Sequence, residues 1–176
     1  MRKVEKIIIH CSATKEGQDV SASTIKSWHL KRGWKDIGYH FIIRLDGTIE
    51  LGRMMNVIGS HTKGENSKSI GICYIGGVEN FRTDGKYKAK DTRTEKQKKS
   101  IITLLRALKL IYKDATIHGH NEFSSKACPS FNAYKEYNNI NLNKNDGIYN
   151  DKLARVINWL YGLYKNYSKS NSNRKG

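Results

Sequence analysis

The sequence predicts an α/β fold, a central mixed β-sheet flanked by helices. Three observations predict it. Short β-branched apolar runs occur at Lys6 to Cys11 and Ser69 to Ile75, an Asp46-Gly47 turn separates two strand-like stretches, and two longer stretches carry apolar residues at helical spacing. Runs of the first kind read as buried strands, and strands alternating with helices give this class.

The elements follow in order. Lys6 to Cys11 is the first strand. Ser21 to Arg32 is a helix, with Ser23 as its cap, Ile25 and Trp28 on one face and Gly33 at its stop. Ile37 to Arg44 and Thr48 to Leu51 form a hairpin about Asp46-Gly47. Ser69 to Ile75 is a further strand, closed by Gly76-Gly77. Thr94 and Gln97 make a capping box for a helix over about 94–112, whose apolar face is Ile101, Leu104, Leu105, Leu108 and Tyr112. Ala115 to His118 is a brief strand, and His120 to Phe131 is irregular. Residues 132–145, rich in Asn, read as a linker. Asp151 opens a second amphipathic pattern of Leu153, Val156, Ile157, Leu160 and Tyr164, and 168–176 reads as a frayed tail.

The 176 residues suffice for one domain with a real core and an appendage, and 38% hydrophobic with 27% charged residues is a globular composition. No apolar run approaches the roughly 18 residues of a membrane span, which excludes membrane insertion by a helix. The net charge of +16 predicts an acidic partner: nucleic acid, an anionic membrane or an anionic wall polymer. Residues 82–99 hold eight basic and three acidic residues, and 132–176 hold the same numbers, so the surplus is concentrated in two segments. Three cysteines, Cys11, Cys73 and Cys128, cannot build a disulfide framework and fit a reducing compartment or a metal site. The N-terminus begins like a secretory signal, but its apolar run is only Ile7 to Ile9, against the about 7–15 residues an h-region needs. The expectation is a cytoplasmic protein that reaches any outside target by another route.

Two of the six histidines, His118 and His120, fall within eleven residues of Lys126 and Cys128. Imidazole and thiolate are preferred zinc ligands, and His10, at the end of an apolar strand, can supply a third. Three protein ligands leave a fourth position for water, the catalytic arrangement. The spacing matches no zinc finger, so spacing alone favours reading these residues as ordinary strand-end and surface groups over a zinc site.

His10-Cys11-Ser12-Ala13-Thr14, Gly38-Tyr39-His40-Phe41, Ser69-Ile70-Gly71-Ile72 and Lys126-Ala127-Cys128-Pro129 occur in one order. Together they resemble the type-2 N-acetylmuramoyl-L-alanine amidases, the superfamily that includes the peptidoglycan-recognition proteins, and in particular its small bacteriophage lysozyme members. The resemblance covers about residues 4–131. It implies an amidase domain over 1–131 and does not extend to 132–176, a basic extension whose one amphipathic helix is read from its own apolar face as packed on the core, against the alternative of a wall-binding appendage. It also implies a zinc site at one edge of the sheet, formed by His10, His120 and Cys128, with one Zn2+ per chain, and places the family's catalytic tyrosine on Tyr39 and its catalytic lysine on Lys126. His61 matches a segment that lines the substrate groove in relatives, a role weighed against an ordinary surface position. His118 is then no ligand, and His40 is a packed structural histidine. Cys73 stands where some relatives carry a glutamate that assists the zinc-bound water, and reads as core, as does Cys11.

The implied reaction is hydrolysis of the amide between the lactyl group of N-acetylmuramic acid and L-alanine in peptidoglycan. The implied setting is a phage or prophage endolysin that passes to the wall through a holin. Three rivals are a peptidoglycan binder without catalysis, which retention of Cys128 disfavours, a cytoplasmic muropeptide-recycling amidase, and a dual-function amidase that binds RNA polymerase. The charge suits nucleic acid, but no nucleic-acid motif is present. With the amidase motifs in view, the basic segments read as a docking surface for anionic wall polymers.

Overall fold

The computed structural model describes residues 2–140 and 153–162. Ile7, Ile8 and Ile9 are fully buried, because β1 (Lys6–Cys11) runs through the interior of a five-stranded sheet. A strand covered on both faces reads as a continuous apolar run, which is the pattern seen here. Its neighbours are β5 (Ser69–Tyr74) and β7 (Thr116–Gly119), both parallel to it. Beyond β5 lie β3 (Phe41–Ile43), also parallel, and β4 (Ile49–Leu51), antiparallel to β3. The order is β4-β3-β5-β1-β7, and a separate two-stranded ladder joins β2 (Thr14–Lys15) to β6 (Gly77–Val78). The sheet is mixed and central, as the sequence predicts.

Alternation along the strands assigns the faces. Ile7, Ile9, Ile70, Ile72, Phe41 and Ile43 meet α2 (Glu95–Ile111) through Ile101, Leu104, Leu105 and Leu108. On the other face Ile42, Cys73 and Ile75 pack with Ile25 and Trp28 of α1 (Ala22–Lys31). Cys11 lies on the α2 face, as expected, and Cys73 is fully buried. The capping box of α2 is present, and buried Gln97 donates in addition to the carbonyls of Ile43 and Ile75, tying the helix start to two strand ends. The turn at Asp46-Gly47 forms with Gly47 at φ +81°, a left-handed conformation that glycine adopts without strain.

Four expectations need correction. Ser21, not Ser23, caps α1: its hydroxyl accepts from the Thr24 amide, and the helix phase buries Ile25 and His29. The strand expected over Ile37 to Arg44 shrinks to Phe41–Ile43, with Tyr39 and His40 leading into it. The expected strand Ala115 to His118 runs one residue later. The Asn-rich stretch contains a short helix, α3 (Ala133–Tyr137), because Asn132 accepts from the Lys135 amide as a cap and Ala133 and Tyr137, four residues apart, are both buried. Arg93 locks this helix down, its guanidinium paired with Asp91 and Glu136 and lying over the Phe131 ring.

Beyond α3, the described residues 153–162 are helical. Leu153, Val156 and Leu160 join the α2-side core, and Trp159 meets the edge of Phe41 at 5.9 Å. The rest of the expected linker (141–145), Tyr164 and the expected frayed tail lie outside the described residues.

Candidate active site

The strand order brings the carboxyl ends of β1 and β7 side by side. His10, only 1% exposed, is the penultimate residue of β1 and sits opposite Cys73 of β5 in the ladder. His120 opens a single 3-10 turn directly after β7. Glu122 shapes that turn by accepting from the Gly119 amide (2.6 Å) and from His118 Nδ1 (2.7 Å). His118 is thereby held by a hydrogen bond away from the centre, while His120 turns in, its ring 4.5 Å from that of His10. Cys128 is brought up by the chain beyond, where Tyr74 Oη donates to the Pro129 carbonyl and Ser130 Oγ to the Gly77 carbonyl. The Cys11 amide donates to Cys128 Sγ at 3.2 Å.

The result is one grouping of donor atoms from His10, His120 and Cys128, all within 4.8 Å of one another. Cys128 Sγ lies 3.8 Å from His10 Nδ1. Tetrahedral zinc, with bonds of about 2.0 Å to nitrogen and 2.3 Å to sulfur, needs these atoms about 3.5 Å apart. Both the donor chemistry and the spacing therefore fit a zinc ion. Burial, with the charges of neighbouring histidines and Lys126, holds His10 well below its ordinary value, and burial with Lys126 lowers His120. Both rings are neutral near pH 7, the form that coordinates metal. The hydrogen bond with the Cys11 thiol and burial push the Cys128 thiol up, and a cation held by this grouping would reverse this by favouring the thiolate.

The ring of Tyr39, ahead of β3, lies 5.1 Å from that of His10 and 5.5 Å from that of His29, tilted to both. Burial pushes its phenol well above 10, so it is a hydrogen-bond donor, and it contacts the Cys73 thiol. Burial likewise pushes Cys73 well above 9; a neutral thiol there cannot replace a carboxylate base. A cleft of about 490 Å³ opens beside the grouping, lined by Trp34, His61, Thr62, His120, Phe123 and Lys126. Lys126 is exposed on its rim.

His61 borders this cleft, but its Nδ1 is turned inward to His10 Nε2, 3.1 Å away. His40 is structural, accepting from the Gly71 amide and donating to the Val57 carbonyl. Sequence reasoning missed Thr62, whose hydroxyl lies 3.3 Å from His10 Nε2, and Ser69, which bonds His61 Nε2. No local pattern marks either. It also missed His29, buried against Trp34 and accepting from the Gly38 amide, although its position four residues after Ile25 is a signal that could have found it.

Fold and donor set together define a class: an α/β protein with a candidate metal centre at the carboxyl end of a mixed sheet, opening onto a cleft. Residues 1–131 match the family of N-acetylmuramoyl-L-alanine amidases, and the chain belongs to that family. It is 46% identical over 127 residues to the endolysin of Escherichia phage T7, covering 72% of this chain and 81% of that one. It is 34% identical over 128 residues to peptidoglycan-recognition protein SC2 of Drosophila melanogaster, covering 72% and 65%. Among solved structures it resembles the N-acetylmuramoyl-L-alanine amidase LysC from Clostridium intestinale URNW, with a TM-score of 0.64 and 31% identity over 77% of this chain and 82% of that one.

Proposed function

We propose that the protein is a zinc-dependent N-acetylmuramoyl-L-alanine amidase. It cleaves the amide between the lactyl group of N-acetylmuramic acid and L-alanine in peptidoglycan, as an endolysin of a phage or prophage that reaches the wall through a holin. The observation that carries this reading is the convergence of His10, His120 and Cys128 beside Tyr39 and a cleft rimmed by Lys126. In this reading His10, His120 and Cys128 hold the ion. Zinc bound there supplies Lewis acidity, polarising a carbonyl and making water nucleophilic near neutral pH.

The remaining work falls to side chains. As the lactyl carbonyl carbon becomes tetrahedral, its oxygen gains negative charge, and the Lys126 ammonium at the cleft rim stabilises it. Tyr39, kept protonated, orients the attacking water or donates to the same oxygen. It is also the first candidate to pass a proton to the departing amine, because Cys73 stands where some relatives carry the glutamate that would relay it. The amidase domain is assigned to 1–131, where the family match ends, and 132–176 to an extension packed on it, which the core positions of Leu153, Val156 and Leu160 support.

Metal analysis tests the reading. The purified protein should carry one zinc per chain, a chelator should abolish lysis of wall material, and added zinc should restore it. His10→Ala and Cys128→Ser should each lose the metal. Full metal-free activity would refute the reading.

A further inference from the structure

We propose that His61 is a positioning residue that fixes the tautomer of the metal ligand His10. The inference rests on the zinc reading above and deepens it. The Glu65 carbonyl oxygen can only accept a hydrogen bond. Ser69 Oγ lies 2.8 Å from it and must donate its single proton there. The Ser69 oxygen is then an acceptor for His61 Nε2, 3.3 Å away, so His61 carries its proton on Nε2. That leaves His61 Nδ1 as a lone pair, and the group facing it at 3.1 Å, His10 Nε2, has to be the donor. His10 Nδ1 is consequently unprotonated, and it is this nitrogen that faces Cys128 Sγ. One chain of hydrogen bonds from Glu65 to His10 thus has a single consistent direction, and it ends by presenting a lone pair to the metal position. A second hydrogen bond to the distal nitrogen of a metal-bound histidine sets ring orientation and ligand basicity.

The surroundings hold His61 for this task. Asn66 Oδ1 accepts from the His61 and Thr62 amides, both at 2.8 Å, closing the loop that presents the ring. Gly71 leaves the space the ring fills: a Cβ there would lie 2.6 Å from His61 Cγ. The Thr62 hydroxyl bridges the same two nitrogens, at 3.1 Å from His61 Nδ1 and 3.3 Å from His10 Nε2.

Zinc dissociation constants measured by chelator competition on the full chain separate this role from groove lining. His61→Leu should weaken zinc binding 10–100-fold, the usual cost of losing such a partner, whereas His61→Asn, whose amide oxygen can stand in for Nδ1, should stay within about threefold of wild type. In parallel, long-range proton–nitrogen NMR of the zinc-loaded wild type should show His10 protonated at Nε2 and coordinated through Nδ1, a readout independent of whether the Leu variant folds. Wild-type affinity in His61→Leu, an equal loss in His61→Asn, or a His10 protonated at Nδ1 would each overturn the proposal. A wild-type protein that takes up no zinc would overturn the zinc reading itself.

Discussion

Gly71→Ala places one methyl group where the site has no room for it. Gly71 is on β5 with a backbone conformation open to any L residue, so the substitution adds volume without backbone strain. The new Cβ would stand 2.6 Å from Cγ and Cδ2 of His61 and 2.9 Å from Nδ1. Carbon atoms rest at about 3.5–4.0 Å, so ring and strand must separate by about 0.9 Å or more. If the ring yields, its 3.1 Å contact with His10 Nε2 stretches to about 4 Å, beyond hydrogen-bond range. If the strand yields, β5 is pushed from its register with β1 and β3. Overpacking of this kind costs about 1–3 kcal/mol. For a chain of this length 2 kcal/mol corresponds to a Tm lower by about 4–8 °C. Zinc affinity should fall about tenfold with it if the His61 contact is broken. Thermal unfolding and chelator competition read both quantities, and helical Gly162→Ala, where no atom of the described residues lies within 4 Å, is the control and should leave zinc affinity unchanged without lowering Tm. Wild-type Tm and wild-type zinc affinity in Gly71→Ala would refute the packing argument.

Other outcomes follow from the same geometry. Tyr39→Phe and Lys126→Ala should retain zinc yet lose amide hydrolysis by about 100-fold or more, measured as turnover on a soluble muramyl peptide. Burial acts to raise the Asp91 carboxyl, but the hydrogen bonds and charge of Arg93 hold it below its ordinary value. Its contribution to stability is therefore present above about pH 4 and lost as pH falls further, so Asp91→Asn should flatten the acid limb of urea-unfolding midpoints measured from pH 7 to pH 3; parallel limbs would contradict this. Replacing the exposed Lys86, Lys88, Lys96 and Lys99 by glutamine should weaken sedimentation with purified walls at physiological salt and leave turnover of a small soluble substrate unchanged.

The sheet was legible because its strands are short, apolar and bounded by turn residues, and α2 because a capping box precedes an apolar face of regular period. Local chemistry was less legible where one residue type serves two purposes. Ser21 and Ser23 are equivalent in composition, and only the burial of Ile25 and His29 decides between them. Asn132 reads as linker until it is seen capping α3. The donor set was reachable through the order of four motifs, since His10 and Cys128 stand 118 positions apart and no spacing rule joins them. The inner support of the site was out of reach for the same reason: His61 and Thr62 meet His10, and Ser69 backs His61, only because the loop closed by Asn66 and the start of β5 come together under the end of β1. Hydrogen-bond direction along that chain is a property of three-dimensional contacts, and residue order carries no trace of it.

Product analysis on purified sacculi identifies the bond that is cut. Digestion with the zinc-loaded protein should release new amino termini that are all L-alanine, with no new reducing sugar ends, and chelation should stop the release until zinc is returned. New reducing ends without free alanine termini, or alanine release that chelation leaves untouched, would contradict the account.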